Sequence, residues 1–164
     1  MYRRYLVLFF LISACGFQPI YSQKFVLATD DVLASIFINP IGGEFGNKLH
    51  VQLKESLNPS KKSTPIRYKL QIKLPSMLST SVIISNSQTV NYTSIIKVEY
   101  TLIDNQNNQE ITKGILTSSD SYYTSASEFA IFSSNQAAIE NNLKKISEDL
   151  KNKLIAFLSR NNLK

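Results

Sequence analysis

Ile66-Arg67-Tyr68-Lys69-Leu70-Gln71-Ile72-Lys73-Leu74 is the stretch on which the fold turns. Its apolar residues fall at every second position, and Arg67, Lys69, Gln71 and Lys73 fill the gaps between them. A strand repeats its side-chain direction every two residues, so this pattern predicts a half-buried strand with a basic outer face. Pro75 is expected to end it. Residues 76–91 are rich in Ser, Thr and Asn around Val82-Ile83-Ile84, which reads as a short strand or a continuation of the first. Thr93 to Ile103 is a further strand, with Ile96, Val98, Tyr100 and Leu102 on one face. Asp104 to Gln109 is polar and turn-forming, and Glu110 to Tyr123 returns as a strand weakened by Gly114, which completes an antiparallel hairpin with a long loop.

Helical periodicity flanks this strand-rich centre. Upstream, Val32 to Ile38 reads as a strand that breaks at Asn39-Pro40-Ile41-Gly42-Gly43. Phe45, Leu49, Leu53 and Leu57 then recur every four residues, the apolar face of a helix stopped at Asn58-Pro59. Gly46 weakens its first turn. Downstream, Ile139, Leu143, Ile146, Leu150, Leu154 and Phe157 form a second helical stripe, supported by Glu140 with Lys144 and Asp149 with Lys153 at i,i+4. Two starts compete, because Ser125-x-x-Glu128 and Ser133-x-x-Gln136 both fit a capping box, and Phe129 and Phe132 extend the stripe backward in phase. Begun at Ser125, the helix would be roughly 50 Å long, against roughly 40 Å for a domain of this size, so it would overhang or kink near Ser133. The longer helix is the one predicted. The order is β-α-β-β-β-α, and the predicted fold is α+β: a two-layer sandwich with a mostly antiparallel four-stranded sheet and two helices on one face.

The N-terminus carries a different signal. Met1 to Arg4 is short and basic, Tyr5 to Ile12 is an unbroken apolar run, and Ser13-Ala14 places small side chains before Cys15. Such a run is far shorter than the roughly 18–20 residues of a membrane span and reads as an export signal covering residues 1–14. Cys15 is the only cysteine. One thiol cannot form an internal disulfide, and an unpaired thiol in an oxidising compartment is a liability, whereas lipidation accounts for a single one. The apolar-small-small-Cys pattern resembles the lipobox of bacterial lipoproteins, whose thiol takes a diacylglycerol before the chain is cut ahead of the cysteine and the new amine is acylated. Gly16 follows, where lipoproteins kept at the inner membrane often have Asp, so the resemblance favours the outer membrane. Residues 15–30 form a tether, extended around Pro19, and residues 31–164 form a single domain.

Removal of residues 1–14 takes away Arg3 and Arg4 and leaves 150 residues with 16 basic and 12 acidic side chains. That mild excess is spread along the chain, and no basic run is longer than two, which argues against a nucleic-acid partner.

Cys15-Gly16-Phe17-Gln18-Pro19-Ile20-Tyr21 resembles the mature start of the LptE family of lipopolysaccharide-assembly lipoproteins in its alphaproteobacterial form. Asn39-Pro40-Ile41 followed by Gly46-Asn47-Lys48-Leu49 and Leu53 resembles the family's first strand and helix. The resemblance implies the same element order. It also implies a protein held by lipid on Cys15 in the inner leaflet of the outer membrane, facing the periplasm. Such proteins occupy the lumen of the LptD β-barrel, help it assemble, and bind lipopolysaccharide on its way to the surface.

Little in the chain suggests catalysis. His50 is the only histidine, no Gly-x-Ser-x-Gly elbow is present, and no second His or Cys is available for a metal shell. No catalytic residue, metal or cofactor is assigned. Asp30-Asp31 and Glu148-Asp149 read as a turn and a solvated helix face. The best functional surface is the basic stripe of Arg67, Lys69 and Lys73, joined by Lys97 and with Lys61 and Lys62 near it. These are candidate contacts for the phosphates and acidic sugars of lipopolysaccharide. The competing reading is that the same lysines keep a strand soluble and guard a sheet edge. Tyr122, Tyr123, Phe129 and Phe132 form an aromatic cluster that is either core or partner-facing. Two other functions compete: a free-standing, periplasm-facing lipoprotein that binds a small or lipidic ligand, and a lipid-anchored hydrolase that would depend on His50.

Overall fold

The strands form one mixed sheet in the order β1-β2-β3-β4 in the computed structural model, which describes residues 30–82, 90–124 and 127–161. The signal segment, Cys15, the tether through residue 29, Ile83-Ile84 and Ser125 lie outside the described residues. The element order is β1 (Ile36–Ile38), α1 (Glu44–Leu57), β2 (Tyr68–Val82), β3 (Val90–Asp104), β4 (Glu110–Thr124) and α2 (Glu128–Asn161). This is the predicted α+β sandwich with its β-α-β-β-β-α order.

The first strand is shorter than its composition suggests. Residues 30–34 are helical, and the Ser35 hydroxyl donates to the Val32 carbonyl at 2.6 Å. Local hydrogen bonding of this kind competes with extension, and here it turns Leu33 into the core. Only Ile36–Ile38 remains as strand, with Ile36 and Ile38 buried and Phe37 exposed between them. β1 pairs parallel with β2, Ile36 against Tyr68 and Ile38 against Leu70. Parallel neighbours need a crossover connection, and α1 supplies it. Leu49, Leu53 and Leu57 are buried as their spacing requires. Gly46 turns out to be a packing requirement, since a Cβ there would lie 2.8 Å from both Cγ2 and the carbonyl oxygen of Ile41.

Pro75 does not end β2. The strand runs on to Val82, and its register with β3 shifts between Lys73, which pairs with Glu99, and Ser76, which pairs with Lys97. Leu74 and Pro75 therefore stand together opposite Val98, a bulge. A proline has no N–H to give to a ladder, and a bulge is where a sheet tolerates one. Beyond it the alternation changes parity, so that Met77 pairs with Ile96 and Ser79 with Ser94.

β3 is the centre of the sheet. Ser94, Ile96, Val98, Tyr100 and Leu102 are all buried on the face that meets the helices. Tyr100 is registered opposite Gly114 of β4, and a Cβ at Gly114 would lie 2.8–3.0 Å from Tyr100 Oη, Cε1 and Cζ. The glycine is thus the space in which the tyrosine ring lies, and burial there pushes the phenol pKa up. Gly114→Ala is expected to destabilise the fold by about 1–3 kcal/mol, the usual cost of overpacking. In a Tyr100→Leu background the same change should cost less than half as much, and urea unfolding of the four proteins checks it.

The second helix is one unbroken element of 34 residues, about 51 Å at 1.5 Å per residue. It begins at Glu128, with the Ser127 carbonyl accepting from Ile131 N–H, so of the two expected starts it follows the earlier, longer one. Ser133 lies inside it and bonds back to the Ala130 carbonyl. Ile139, Leu143, Ile146, Leu150 and Leu154 are buried in the single core cluster. Upstream of Ala138 no residue of the helix is buried, and Phe129 and Phe132 are 79% and 62% exposed. Glu140 is drawn to Lys48 of α1 at 3.2 Å, so the expected ion pair within α2 becomes one between helices. That contact raises the Lys48 pKa.

Candidate functional site

With both helices on one side, the other side of the sheet carries no layer among the described residues. The alternation seen in the sequence decides what that open face displays. Lys69, Gln71 and Lys73 of β2 pair with Ile103, Thr101 and Glu99 of β3. Thr101, Glu99 and Lys97 pair in turn with Lys113, Ile115 and Thr117 of β4. The structure thus brings Lys69, Lys73 and Lys97 onto one face. Lys73 and Lys97 are diagonal neighbours, roughly 7–8 Å apart at the backbone, and Lys69 and Lys73 are separated by about 13 Å at 3.3 Å per residue. Arg67 is exposed just before β2, fixed by its N–H to the Ser35 carbonyl at 3.0 Å and by its own carbonyl to Asn105 N–H at 2.9 Å.

Two features of this face were not read from the sequence. Glu99 stands directly across from Lys73, inside the basic stripe. Lys113 joins the same face from β4, where it pairs with Glu110 at 2.9 Å. Glu99 falls at an odd position of a strand whose even positions from Ile96 to Leu102 are apolar, which indicates its face, whereas β4 has no such alternation to place Lys113, and which strand faces which depends on the pairing. Lys62 is diverted elsewhere, bonding Asp31 at 2.7 Å, which ties the helical turn at residues 30–34 to the linker after α1. Among the described residues none of the ion pairs uses Arg67, Lys69, Lys73 or Lys97. Spaced ammonium and guanidinium groups on a solvated face can engage separate anionic groups of one large ligand by charge-assisted hydrogen bonds.

The aromatic cluster divides. Tyr122 stacks on Tyr92 at a centroid distance of 5.5 Å and an interplanar angle of 14°. Phe129 and Phe132 project from the exposed first turns of α2, and the side chain of Tyr123 lies outside the described residues. His50 lies half-buried on α1 with Nδ1 buried and without a hydrogen-bond partner among the described residues, so it has none of the orienting carboxylate contact a hydrolytic triad requires. Among the described residues no three His, Cys, Asp or Glu side chains converge as a metal site. The groove of about 680 Å³ between α1 and α2 is open and is lined by Glu55 and Glu148 together with Lys144 and Lys151, a balance of charge without the apolar walls of a small-molecule pocket. Among the described residues no helix is long and apolar enough to cross a membrane.

The buried polar contacts sit between α2 and the sheet. Asn142 is fully buried, its Oδ1 accepts from the Ser118 hydroxyl at 2.7 Å, and its Nδ2 donates to the Ser94 carbonyl at 2.9 Å. Next to them Asn141 donates to Asp120 at 2.9 Å. These bonds fix α2 lengthwise on β3 and β4 and so keep the helices on the face opposite the lysines.

No protein-family model matches the sequence, and no curated protein sequence matches it. Solved structures of the same fold do. A predicted lipoprotein from Caulobacter crescentus aligns with a TM-score of 0.68 at 21% identity, covering 82% of this chain and 97% of that one. The minor lipoprotein of Acinetobacter baumannii aligns at 0.56 with 10% identity, over 75% of this chain and 92% of the other. Rare lipoprotein B of Shewanella oneidensis aligns at 0.53 with 9% identity, over 79% and 98% of the two chains. The chain thus has the fold of these bacterial lipoproteins across nearly their whole length.

Proposed function

We propose that the chain is an outer-membrane lipoprotein of the LptE type. Acylated Cys15 holds it in the inner leaflet, facing the periplasm. The domain occupies the lumen of an LptD-like β-barrel, helps that barrel assemble, and binds lipopolysaccharide during transport to the cell surface, with no covalent chemistry of its own. The observation that carries this reading is the fold held in common with rare lipoprotein B, a fold of LptE type. The N-terminal Cys15-Gly16-Phe17-Gln18-Pro19-Ile20-Tyr21 motif supports it independently. Physical chemistry adds two arguments. The wall of a large barrel's lumen is polar, and the open sheet face, with Thr101, Thr117, Ser119 and Gln71 among its lysines, is a surface of matching polarity. The cations on that face suit a ligand rich in phosphate and acidic sugar.

The lipopolysaccharide part of the proposal is tested by binding purified lipopolysaccharide to the full-length chain in mild detergent. Lys73→Glu/Lys97→Glu is expected to weaken binding by about tenfold or more, since each charge-assisted contact contributes roughly 1.5–3 kcal/mol. Lys54→Glu/Lys151→Glu, which makes the same change of net charge on the helices, should alter it by less than about twofold. Equal losses in the two variants would reduce the interaction to bulk electrostatics and contradict a site on the sheet face.

A further inference from the structure

The open sheet face is not uniformly basic. Glu99 lies on a middle strand, directly opposite Lys73 of β2 and two residues from Lys97 of its own strand. Directly opposed residues have Cβ atoms roughly 4.5–5.5 Å apart, and residues two apart on one strand are separated by about 7 Å, so both ammonium groups can reach its carboxylate. On its other side Glu99 faces Ile115 of β4. Glu99 is half-buried, whereas Lys73 and Lys97 are exposed. The acid is therefore the fixed partner, and the lysines are the groups free to swing.

That pairing is not closed. Among the described residues the ion pairs use Lys48, Lys62, Lys113 and Lys145, and none of them includes Glu99. Lys113, a diagonal neighbour of Glu99 from β4, is taken by Glu110 at 2.9 Å. Lys73 and Lys97 thus stand open to solvent beside a carboxylate that both can reach. Such a site has two arrangements. With an anionic ligand seated, the ammonium groups turn outward and donate to its phosphate oxygens. With the ligand gone, they turn inward and donate to Glu99. The carboxylate competes with the ligand for the same donors, and it competes from within the site, where dilution does not remove it.

We infer that Glu99 is the release residue of the anion site on the open sheet face: it takes Lys73 and Lys97 back from a bound phosphate and so keeps the grip readily reversible. This role belongs to the lipopolysaccharide site proposed above, where cargo in transit must be let go as well as held. It extends to any phosphate-bearing ligand seated on the same two lysines.

The test measures binding of purified lipopolysaccharide and, separately, of inorganic polyphosphate to the full-length chain in mild detergent, with association and dissociation rates resolved. One exposed ion pair shifts an equilibrium by roughly 1.5- to 5-fold, and two lysines are contested here. Glu99→Gln, which keeps the size of the side chain, should therefore tighten both ligands by about three- to tenfold. Most of the gain should lie in slower dissociation, with the melting temperature unchanged. Glu55→Gln makes the same change of net charge on the helix side, and should alter affinity by less than about 1.5-fold at physiological salt, where screening acts over about 8 Å. In a Lys73→Gln/Lys97→Gln background Glu99→Gln should gain less than about twofold, because the contested donors are gone. Unchanged or weaker binding in Glu99→Gln, a gain confined to the association rate, or an equal gain in Glu55→Gln would each overturn the inference. If Glu99→Gln tightens polyphosphate while lipopolysaccharide does not bind, the release role stands and the lipopolysaccharide reading falls. Lipopolysaccharide binding that Glu99→Gln leaves untouched has the opposite meaning, and binding of neither ligand to the wild type would remove both.

Discussion

Cys15→Ala is expected to remove the chain from the outer-membrane fraction, by more than about tenfold after an alkaline wash. The thiol is the only atom of the chain that can take a thioether-linked diacylglycerol, because Cys15 is the only cysteine. One acyl chain gives a marginal, reversible attachment, while each buried methylene contributes on the order of 0.8 kcal/mol, so two further chains make dissociation negligible. Among the described residues no helix is long and apolar enough to cross a membrane. Intact-mass analysis of the wild type should show a mature chain that begins at Cys15 and carries three acyl chains. Recovery of Cys15→Ala in the outer membrane at the wild-type level would refute the anchor.

The second large effect lies in the domain. Asn142→Leu keeps the size of the side chain but deprives the Ser118 hydroxyl of its acceptor and the Ser94 carbonyl of a donor, all inside the core. An orphaned buried polar group costs about 1–3 kcal/mol, so a loss of about 3 kcal/mol in unfolding free energy is expected. For a domain of this length that corresponds to roughly 8–12 °C in Tm. Adding Ser118→Ala removes one orphan, so the double variant should be more stable than Asn142→Leu alone, by about 1 kcal/mol. Strict additivity of the two substitutions, or an unchanged melting temperature in Asn142→Leu, would show that the network does not hold α2 on the sheet.

Much of this architecture was legible in residue spacing. The alternation from Tyr68 to Leu74, the even positions of Thr93 to Ile103 and the four-residue recurrence of Phe45 to Leu57 each became the element they predicted, because one-sided burial imposes its period on the sequence, whereas Ile66 and Arg67, read as the start of that strand, lie exposed just before it. The errors came where a local rule met a tertiary solution. Pro75 looked like a stop, yet a bulge absorbs a residue without an N–H, and the strand continues. Val32 to Ile38 has strand composition, but the Ser35 hydroxyl closes a helical turn within it and leaves three residues to β1. Phe129 and Phe132 keep the phase of the α2 stripe, although burial in that helix begins only at Ala138. Phase tells which face a residue is on, and says nothing about whether another layer reaches that far.

The candidate surface was legible to a similar degree. Lys69, Lys73 and Lys97 share the open face, as parity indicates. Glu99 across from Lys73 and Lys113 from the neighbouring strand depend on strand pairing, which a single sequence does not display. Asn142 had a usable signal. It lies three residues after Ile139 and four before Ile146, within the buried stripe, and a polar residue in that position must find partners.

The measurement closest to the central proposal is recovery of the full-length chain, with a C-terminal affinity tag, from the outer membrane of its native host in mild detergent, followed by identification of what accompanies it. The account predicts a large β-barrel protein in a ratio near one to one, absent from the Cys15→Ala control. A lipidated monomer recovered alone, under conditions that keep other barrel complexes together, would contradict it and leave a free-standing, ligand-binding lipoprotein in its place.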